Sequence, residues 1–199
     1  MSDNIENNQS RITIADQQVM TMYEYEFSGE IESVEQHAEL LELLSNASEH
    51  DLVRINNTSC GGNLDVTLRL ASAISNAKCV TSCVIHGMVS SGGTLIALAC
   101  EIVTAAPFST FHIHSMSTGI GGKVSDINSY TTHVVEANKR LIEGAYGKFL
   151  TRAELDYVLS GGELYLTDEQ TNAKLALVGK AADLSEAYDQ DDETNKEVH

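Results

Sequence analysis

Residues 79–100 read CVTSCVIHGMVSSGGTLIALAC, and the order of residue types predicts a strand, a tight turn and a helix. The β-branched run over residues 80–85 is typical of a buried strand, and it stops at His86-Gly87. Ser90 and Ser91 follow, then two glycines that keep side chains out of the mouth of the turn. A serine at such a corner presents its hydroxyl to a cleft, beside the free N–H groups of the first helical turn. This is the layout of a nucleophile elbow, although turns of this composition also bind phosphate or only reverse the chain.

The composition fits one globular α/β domain and argues against several classes of partner. The chain has 199 residues, of which 42% are hydrophobic, and a formal net charge of −17. That charge would repel the phosphates of nucleic acids and of anionic membranes. No apolar segment approaches the ~20 residues that span a bilayer. The opening residues MSDNIENNQS have neither the basic nor the apolar part of a signal peptide. We therefore expect a cytoplasmic protein with no nucleic-acid or membrane partner.

Strand and helix patterns alternate through the middle of the chain, which predicts parallel strands joined by crossover helices. Strands are predicted at residues 11–14, 19–27, 52–55, 80–85, 102–105 and 110–113. Helices are predicted after capping signals at Ser33, at Asn63 or Asp65, and at Thr151 and Thr167, and the longest over residues 125–150. On that helix Val135 and Ile142 lie off the main apolar stripe, so we expect them to be buried between subunits. The predicted segments are a flexible start (1–18), one domain (19–184) and an acidic disordered tail (185–199).

A serine nucleophile needs a base within hydrogen-bond reach, and the base needs an orienting acceptor. His112 and His114 lie at the end of a predicted strand, before a glycine-rich hinge, where a side chain can reach a cleft. Their H-x-H spacing also permits a metal site, but no clear third ligand is near. A strand-end histidine with a purely structural role is the other alternative. His37, His50 and His133 fall in helix patterns or a polar loop, and we expect them to be exposed.

A second glycine pair, in Ser59-Cys-Gly61-Gly62, also ends a strand and begins a helix. Two such turns side by side would direct two backbone N–H groups at one point, which is an oxyanion hole. Either turn alone is better explained as a tight βα connection. The cysteines (Cys60, Cys79, Cys83 and Cys100) form no C-x-x-C pair, so we predict buried, reduced thiols.

Together these motifs resemble the ClpP family, the proteolytic subunits of the Clp protease. The likeness runs from about Tyr23 to Asp183. In chain order the matching segments are FSGEI (27–31), INNTSCGG (55–62), GMVSSGG (87–93), IH (113–114), GKVSDI (122–127) and YLTDE (165–169) with LV (177–178).

The resemblance implies a crotonase-like α/β fold, a spiral of βαβ units with a protruding handle helix. It implies that Ser91 is the nucleophile, His114 the general base and Glu163 the acid, at a position where the family has Asp. The backbone N–H groups of Gly62 and Gly92 would form the oxyanion hole. The implied activity is that of an ATP-dependent Clp-type serine endopeptidase, with no cofactor and no metal. Its substrates would be peptides or unfolded proteins, cleaved inside a homo-oligomeric, heptameric ring that an AAA+ unfoldase ATPase serves.

The chain departs from the family pattern at several positions. Cys60 replaces a proline, Ser115-Met116 replace Gln-Pro, and Glu163 is one methylene longer than Asp. Gly161-Gly162 stand where the family has a charged pair used in ring-to-ring contacts. Both a single ring and a stacked pair of rings are therefore alternatives. The alternatives are a catalytically inactive ClpP-like ring subunit and a virus-encoded capsid-maturation protease. A crotonase-type acyl-CoA enzyme shares the fold, but it does not need Ser91 and His114 together.

Overall fold

The computed structural model describes residues 21–181. A short 3₁₀ helix, Glu35–His37, precedes the first α-helix. In chain order the elements are β1 (Met22–Phe27), β2 (Glu30–Ile31), α1 (Ala38–Asn46), β3 (Leu52–Asn57), β4 (Gly61–Gly62), α2 (Leu64–Ser75), β5 (Val80–Ile85), β6 (Met88–Ser90), α3 (Gly92–Ala99), β7 (Ile102–Ala105), β8 (Thr110–Ile113), α4 (Val124–Tyr146), α5 (Arg152–Leu159), β9 (Leu164–Thr167) and α6 (Asp168–Leu177). The strand predicted at 11–14 and the segments 1–18 and 185–199 lie outside the described residues.

The largest sheet is parallel throughout, in the order β1-β3-β5-β7. Helices α1, α2 and α3 connect its successive strands, which confirms the predicted mixed α/β architecture with crossover helices. Phe27, Asn57, Ile85 and Ala105 form one row across it. Because the strands are parallel and in register, their carboxyl ends meet at one edge of the sheet, where the connecting turns collect.

A second sheet has the order β6-β8-β9, with β6 parallel to β8 and β9 antiparallel to it. Its pairing sets Ser90 beside His112, and His112 beside Tyr165. A two-residue parallel pair, β2 with β4, places Ile31 beside Gly62. The strand-turn-helix predicted for residues 79–100 is confirmed, with β6 inserted between the turn and α3.

The hydrophobic core lies between the sheets and the helices that cover them. Its largest fully buried side chains are Phe27, Ile31, Leu40, Ile55, Leu70, Ile74, Ile85, Ile96, Phe111, Ile113, Ile142 and Leu175. Three of the predicted helix starts are confirmed: Asn63 caps α2, and Thr151 and Thr167 form capping boxes at the starts of α5 and α6. The start predicted at Ser33 is wrong, because a 3₁₀ turn intervenes and α1 begins at Ala38 without a side-chain cap. Among the described residues, no helix is both long and apolar enough to cross a membrane.

The longest helix is shorter than predicted, because the chain leaves it at Gly147 and turns Phe149 and Leu150 back into the core. Ile142 was expected between subunits, and this is wrong: the side chain is 2% exposed within the single chain. Val135 is 64% exposed within the single chain. Val135 and Ile142 are seven residues apart, so on an ideal helix their side chains point in directions only about 20° apart. Their burial differs because only the C-terminal part of α4 packs on the core.

Two further predictions are corrected. His37 is 2% exposed, because the 3₁₀ turn points its ring inward, where it stacks on Phe27 at 4.4 Å between ring centroids. Burial lowers the pKa of His37. Cys79, Cys83 and Cys100 are buried free thiols as predicted, but Cys60 is exposed.

Candidate active site

Ser91 occupies a strained corner between β6 and α3. Its backbone φ is 52° and ψ is −124°, a conformation that non-glycine residues rarely adopt. Main-chain bonds hold it: the Ser91 N–H donates to the His112 carbonyl at 3.0 Å, and the Ser91 carbonyl accepts from the Thr94 N–H at 3.0 Å. Within the described part of the chain the Ser91 side chain caps no helical N–H. Its hydroxyl is therefore free of a local structural role.

The two glycine turns pack directly against each other. A Cβ atom on Gly61 would lie 2.7 Å from the backbone nitrogen of Gly92 and 2.7 Å from Cβ of Ser91. Only glycine permits that approach, and its φ of 90° favours glycine too. The buried amide of Asn57 adds a link, because it donates to the Gly93 carbonyl at 2.9 Å. The turns therefore lie side by side, which is the arrangement that an oxyanion hole built from both of them requires.

A cavity of about 560 Å³ opens in front of this corner. Ser91, His114, Gly62 and Gly92 all line it. Its apolar lining residues are Leu64, Leu95, Met116, Leu141 and Ile142; its polar ones include Asn63, Asp65, Ser117 and Thr118. The four predicted residues Ser91, His114, Gly62 and Gly92 thus share one cavity, which offers an apolar surface beside a polar rim.

His114 is fixed by its own neighbour. Its Nδ1 atom lies 2.7 Å from the carbonyl oxygen of Ser115. A carbonyl oxygen can only accept a hydrogen bond, so Nδ1 carries a hydrogen, and in the neutral ring Nε2 is the nitrogen with the lone pair. This is the tautomer that a general base requires. No hydrogen bond joins the Ser91 hydroxyl to His114 among the described residues, and such bonds are often long before a substrate binds.

Glu163 contacts a different histidine from the one expected. Its Oε2 lies 2.7 Å from Nε2 of His112, and Ser90 Oγ lies 2.7 Å from the Nδ1 of that same ring. The triad assignment implies that Glu163 accepts a hydrogen bond from His114, and this is corrected, because Glu163 accepts from His112 instead. Tyr165 stacks on His112 at 4.1 Å, and the rings of His112 and His114 stack at 5.1 Å. The sequence signals for this chain of bonds were the Ser-Ser pair and the H-x-H spacing on one strand face.

The two adjacent serines have different environments. Ser90 is 7% exposed, its hydroxyl is bonded to His112, and it is not among the residues that line the cavity. Ser91 does line the cavity. Of the two hydroxyls, the one that a substrate can reach is that of Ser91.

A comparison with known protein families matches residues 28–154 to the family described as Clp protease. The matched range covers well over half of the chain, and it includes both glycine turns, Ser91 and His114. This chain belongs to the Clp protease family. The matched range ends at Glu154, before Glu163. A comparison with curated proteins finds no match.

In this Clp protease family member a buried tyrosine supports the elbow. The Thr94 hydroxyl donates to the Ser91 carbonyl at 2.6 Å, so the Tyr146 hydroxyl, 2.7 Å away, must donate to Thr94. Burial raises the pKa of Tyr146 to about 12, so its proton stays in place. Because Tyr146 is on α4 and Thr94 on α3, the end of the longest helix is tied to the strained corner.

The described residues of this family member contain no group of three or more His, Cys, Asp or Glu that could hold a metal ion. In the H-x-H pair, both nitrogens of His112 and one of His114 are already hydrogen-bonded. Three of the four ring nitrogens therefore already have partners within the protein, which favours a catalytic or structural role for the pair.

Proposed function

We propose that this chain is a serine endopeptidase of the ClpP type, in which Ser91 is the nucleophile and His114 the general base. One observation carries the proposal. Ser91, strained at the N-terminus of α3, shares a single cavity with His114 and with the backbone of Gly62 and Gly92. Membership of the Clp protease family supports the same reaction class.

The geometry supports the following steps. Nε2 of His114 takes the proton from Ser91 Oγ while Oγ attacks the carbonyl carbon of a peptide bond. The backbone N–H groups of Gly62 and Gly92 donate to the oxyanion that forms. His114 then protonates the leaving amine. A water molecule, deprotonated by His114, hydrolyses the acyl-enzyme and regenerates Ser91.

Glu163 is the acid of the proposed site. Its carboxylate binds His112, and the His112 ring lies against the His114 ring. A negative charge at that place stabilises the imidazolium that forms on His114 during the reaction. In this arrangement Glu163 acts on His114 across His112 rather than by direct contact.

The proposal includes the architecture and setting that the family implies. We propose that the sheets form a crotonase-like spiral, that α4 is the protruding handle helix, and that the chains assemble into a cytoplasmic ring, heptameric by family resemblance. In such a ring a neighbouring subunit would cover the apolar side chains of Val124 and Val135 on α4, which are 75% and 64% exposed in the single chain. A ring with enclosed sites would depend on an AAA+ ATPase to unfold protein substrates.

Labelling with a fluorophosphonate tests the nucleophile. We expect one adduct on the wild-type protein by intact mass, its loss in Ser91→Ala, and its retention in Ser90→Ala. Ser90→Ala is the matched control, because it removes the neighbouring hydroxyl from the same turn. Labelling that requires Ser90 and tolerates Ser91→Ala would assign the reaction to the Ser90–His112–Glu163 chain of bonds instead.

A second candidate is a catalytically inactive ring subunit. The observation that favours it is the bond from Glu163 to His112, together with the missing Ser91–His114 bond among the described residues. On this alternative the wild-type protein assembles but takes up no fluorophosphonate and cleaves no peptide.

A further inference from the structure

We infer that Asn138 is a positioning residue that holds His114 in the tautomer needed for base catalysis. The inference rests on the proposed function in so far as His114 is the base. It concerns a residue on α4, outside the segments from which the nucleophile, the base and the oxyanion donors come.

Asn138 binds the peptide group that binds His114. Its Oδ1 accepts the N–H of Met116 at 3.0 Å. That N–H and the Ser115 carbonyl belong to one planar peptide group, and the Ser115 carbonyl accepts the Nδ1 hydrogen of His114 at 2.7 Å. In a trans peptide group the N–H and C=O point in opposite directions. Asn138 therefore holds the group from one side while His114 donates from the other.

The side chain of Ser115 closes the arrangement. Nδ2 of Asn138 donates to Ser115 Oγ at 3.3 Å, and that hydroxyl donates to the Val158 carbonyl at 2.8 Å. Both polar atoms of the Asn138 amide are therefore engaged with Ser115 and Met116. Rotation of the intervening peptide group would break two hydrogen bonds at once, the one from Met116 N–H to Asn138 and the one from His114 to the Ser115 carbonyl.

The physical consequence concerns the proton on His114. Hydrogen bonds in series polarise one another, so the bond from the Met116 N–H to Asn138 makes the Ser115 carbonyl a better acceptor. The Nδ1–H tautomer is thereby favoured, and the lone pair of Nε2 is available towards the cavity. Without Asn138 the peptide group can turn, and the Nε2–H tautomer, which cannot accept a proton from serine, competes.

The test compares Asn138→Ala with Asn128→Ala, the same substitution at an exposed position of α4. In ¹⁵N-histidine NMR spectra, with the His114 signals identified from a His114→Gln variant, we expect the Nδ1–H form in the wild type. We expect the same form in Asn128→Ala, and a mixture of the two neutral tautomers in Asn138→Ala. Asn138→Asp keeps the acceptor for the Met116 N–H, so it should restore the wild-type spectrum. A wild-type tautomer in Asn138→Ala overturns the inference.

Kinetics supply the second measurement. We expect kcat for a short peptide to fall roughly 10- to 100-fold in Asn138→Ala, because a misplaced base costs rate at the proton-transfer step, while KM changes little. An unchanged kcat would contradict the inference. If the wild type has no activity, the proposed function fails and the NMR comparison still decides whether Asn138 sets the tautomer.

Discussion

Glu163 Oε2 lies 2.7 Å from His112 Nε2, although the register of β8 and β9, if extended by one residue, would set Glu163 opposite His114. The antiparallel pairing of β8 with β9 joins Ile113 to Leu164, and one further step would join His114 to Glu163. The carboxylate therefore reaches diagonally to the residue two positions back, a span within reach of a long side chain. The Ser115 carbonyl already occupies Nδ1 of His114, which leaves His112 as the partner with a free donor.

This relationship predicts the effect of neutralising Glu163. Glu163→Gln can still accept the Nε2 hydrogen of His112, so the fold should be kept while the negative charge is lost. A charge one ring away contributes about 1–3 kcal/mol at an effective dielectric constant near 20, so we expect kcat to fall about 10- to 100-fold. A direct triad partner would lose about 10⁴-fold. Steady-state cleavage of a short peptide measures the difference.

Glu163→Asp is the matched control, because it keeps the charge and shortens the side chain. We expect its rate to lie between those of the wild type and Glu163→Gln. Equal rates in the wild type and Glu163→Gln would show that this carboxylate takes no part. A loss near 10⁴-fold would show that it turns to His114 during the reaction.

The contact between the two glycine turns gives a second prediction. In Gly61→Ala the new Cβ would lie 2.7 Å from both the Gly92 nitrogen and Ser91 Cβ. The elbow must move, so we expect fluorophosphonate labelling to be abolished, with a loss of stability above the roughly 1–2 kcal/mol that a positive φ alone costs. Labelling rate and urea unfolding measure the two effects.

Gly29→Ala separates the clash from the backbone strain. Gly29 also has a positive φ, 78°, but among the described atoms none lies within 4 Å of its Cβ position. We expect this variant to be destabilised by the strain alone and to label at the wild-type rate. If the two variants label equally fast, Gly61 does not support the elbow.

The sequence predicted correctly those features that a residue type determines locally, such as turns and helix starts. The pairs Gly61-Gly62 and Gly92-Gly93 predicted two tight turns, and Thr151 and Thr167 predicted two helix starts, because these features depend on neighbours in the chain. Bonds across strands were harder to predict. Whether Glu163 binds His112 or His114 depends on which way a long side chain leans, and both choices share one register.

The burial of individual side chains was also hard to predict from the sequence. His37 falls in a helix pattern off its apolar stripe, and only the 3₁₀ turn and the position of Phe27 show that its ring is buried. Ile142 and Val135 fall on similar faces of α4, yet Ile142 is in the core and Val135 is exposed. The difference depends on how far along α4 the core extends. The helical spacing of apolar residues does not give that information.

His37 should make stability depend on pH. Burial lowers its pKa from the ordinary 6.5, and within the described part of the chain its Nε2 has no hydrogen-bond partner. The neutral form is therefore favoured in the folded protein. The contribution of His37 to the free energy of unfolding is fully present above pH 6.5, the pKa in the unfolded chain. As the pH falls this contribution decreases, by up to about 1.4 kcal/mol per pH unit, until the pH is below the pKa of the folded protein.

Urea unfolding at pH 7.5 and 5.5 tests this. We expect the wild type to lose more stability between these values than His37→Phe, which keeps a ring against Phe27 but cannot titrate. His50→Phe, the same change at an exposed histidine, should follow the wild type. Parallel losses in the wild type and His37→Phe would show that His37 does not titrate differently on folding.

The last prediction concerns assembly. Val135 is 64% exposed on α4, and in the proposed ring a neighbouring subunit would cover this apolar side chain. We expect light scattering at micromolar concentration to give a ring, seven times the monomer mass of 21.5 kDa by family resemblance, or twice that if two rings stack. Val135→Asp places a charge in the contact and should shift the mass towards the monomer, while Ser129→Asp, on another face of α4, should leave the ring intact. A wild-type monomer that cleaves short peptides would contradict the enclosed chamber, and a single ring would fit the absence of charged side chains at Gly161-Gly162.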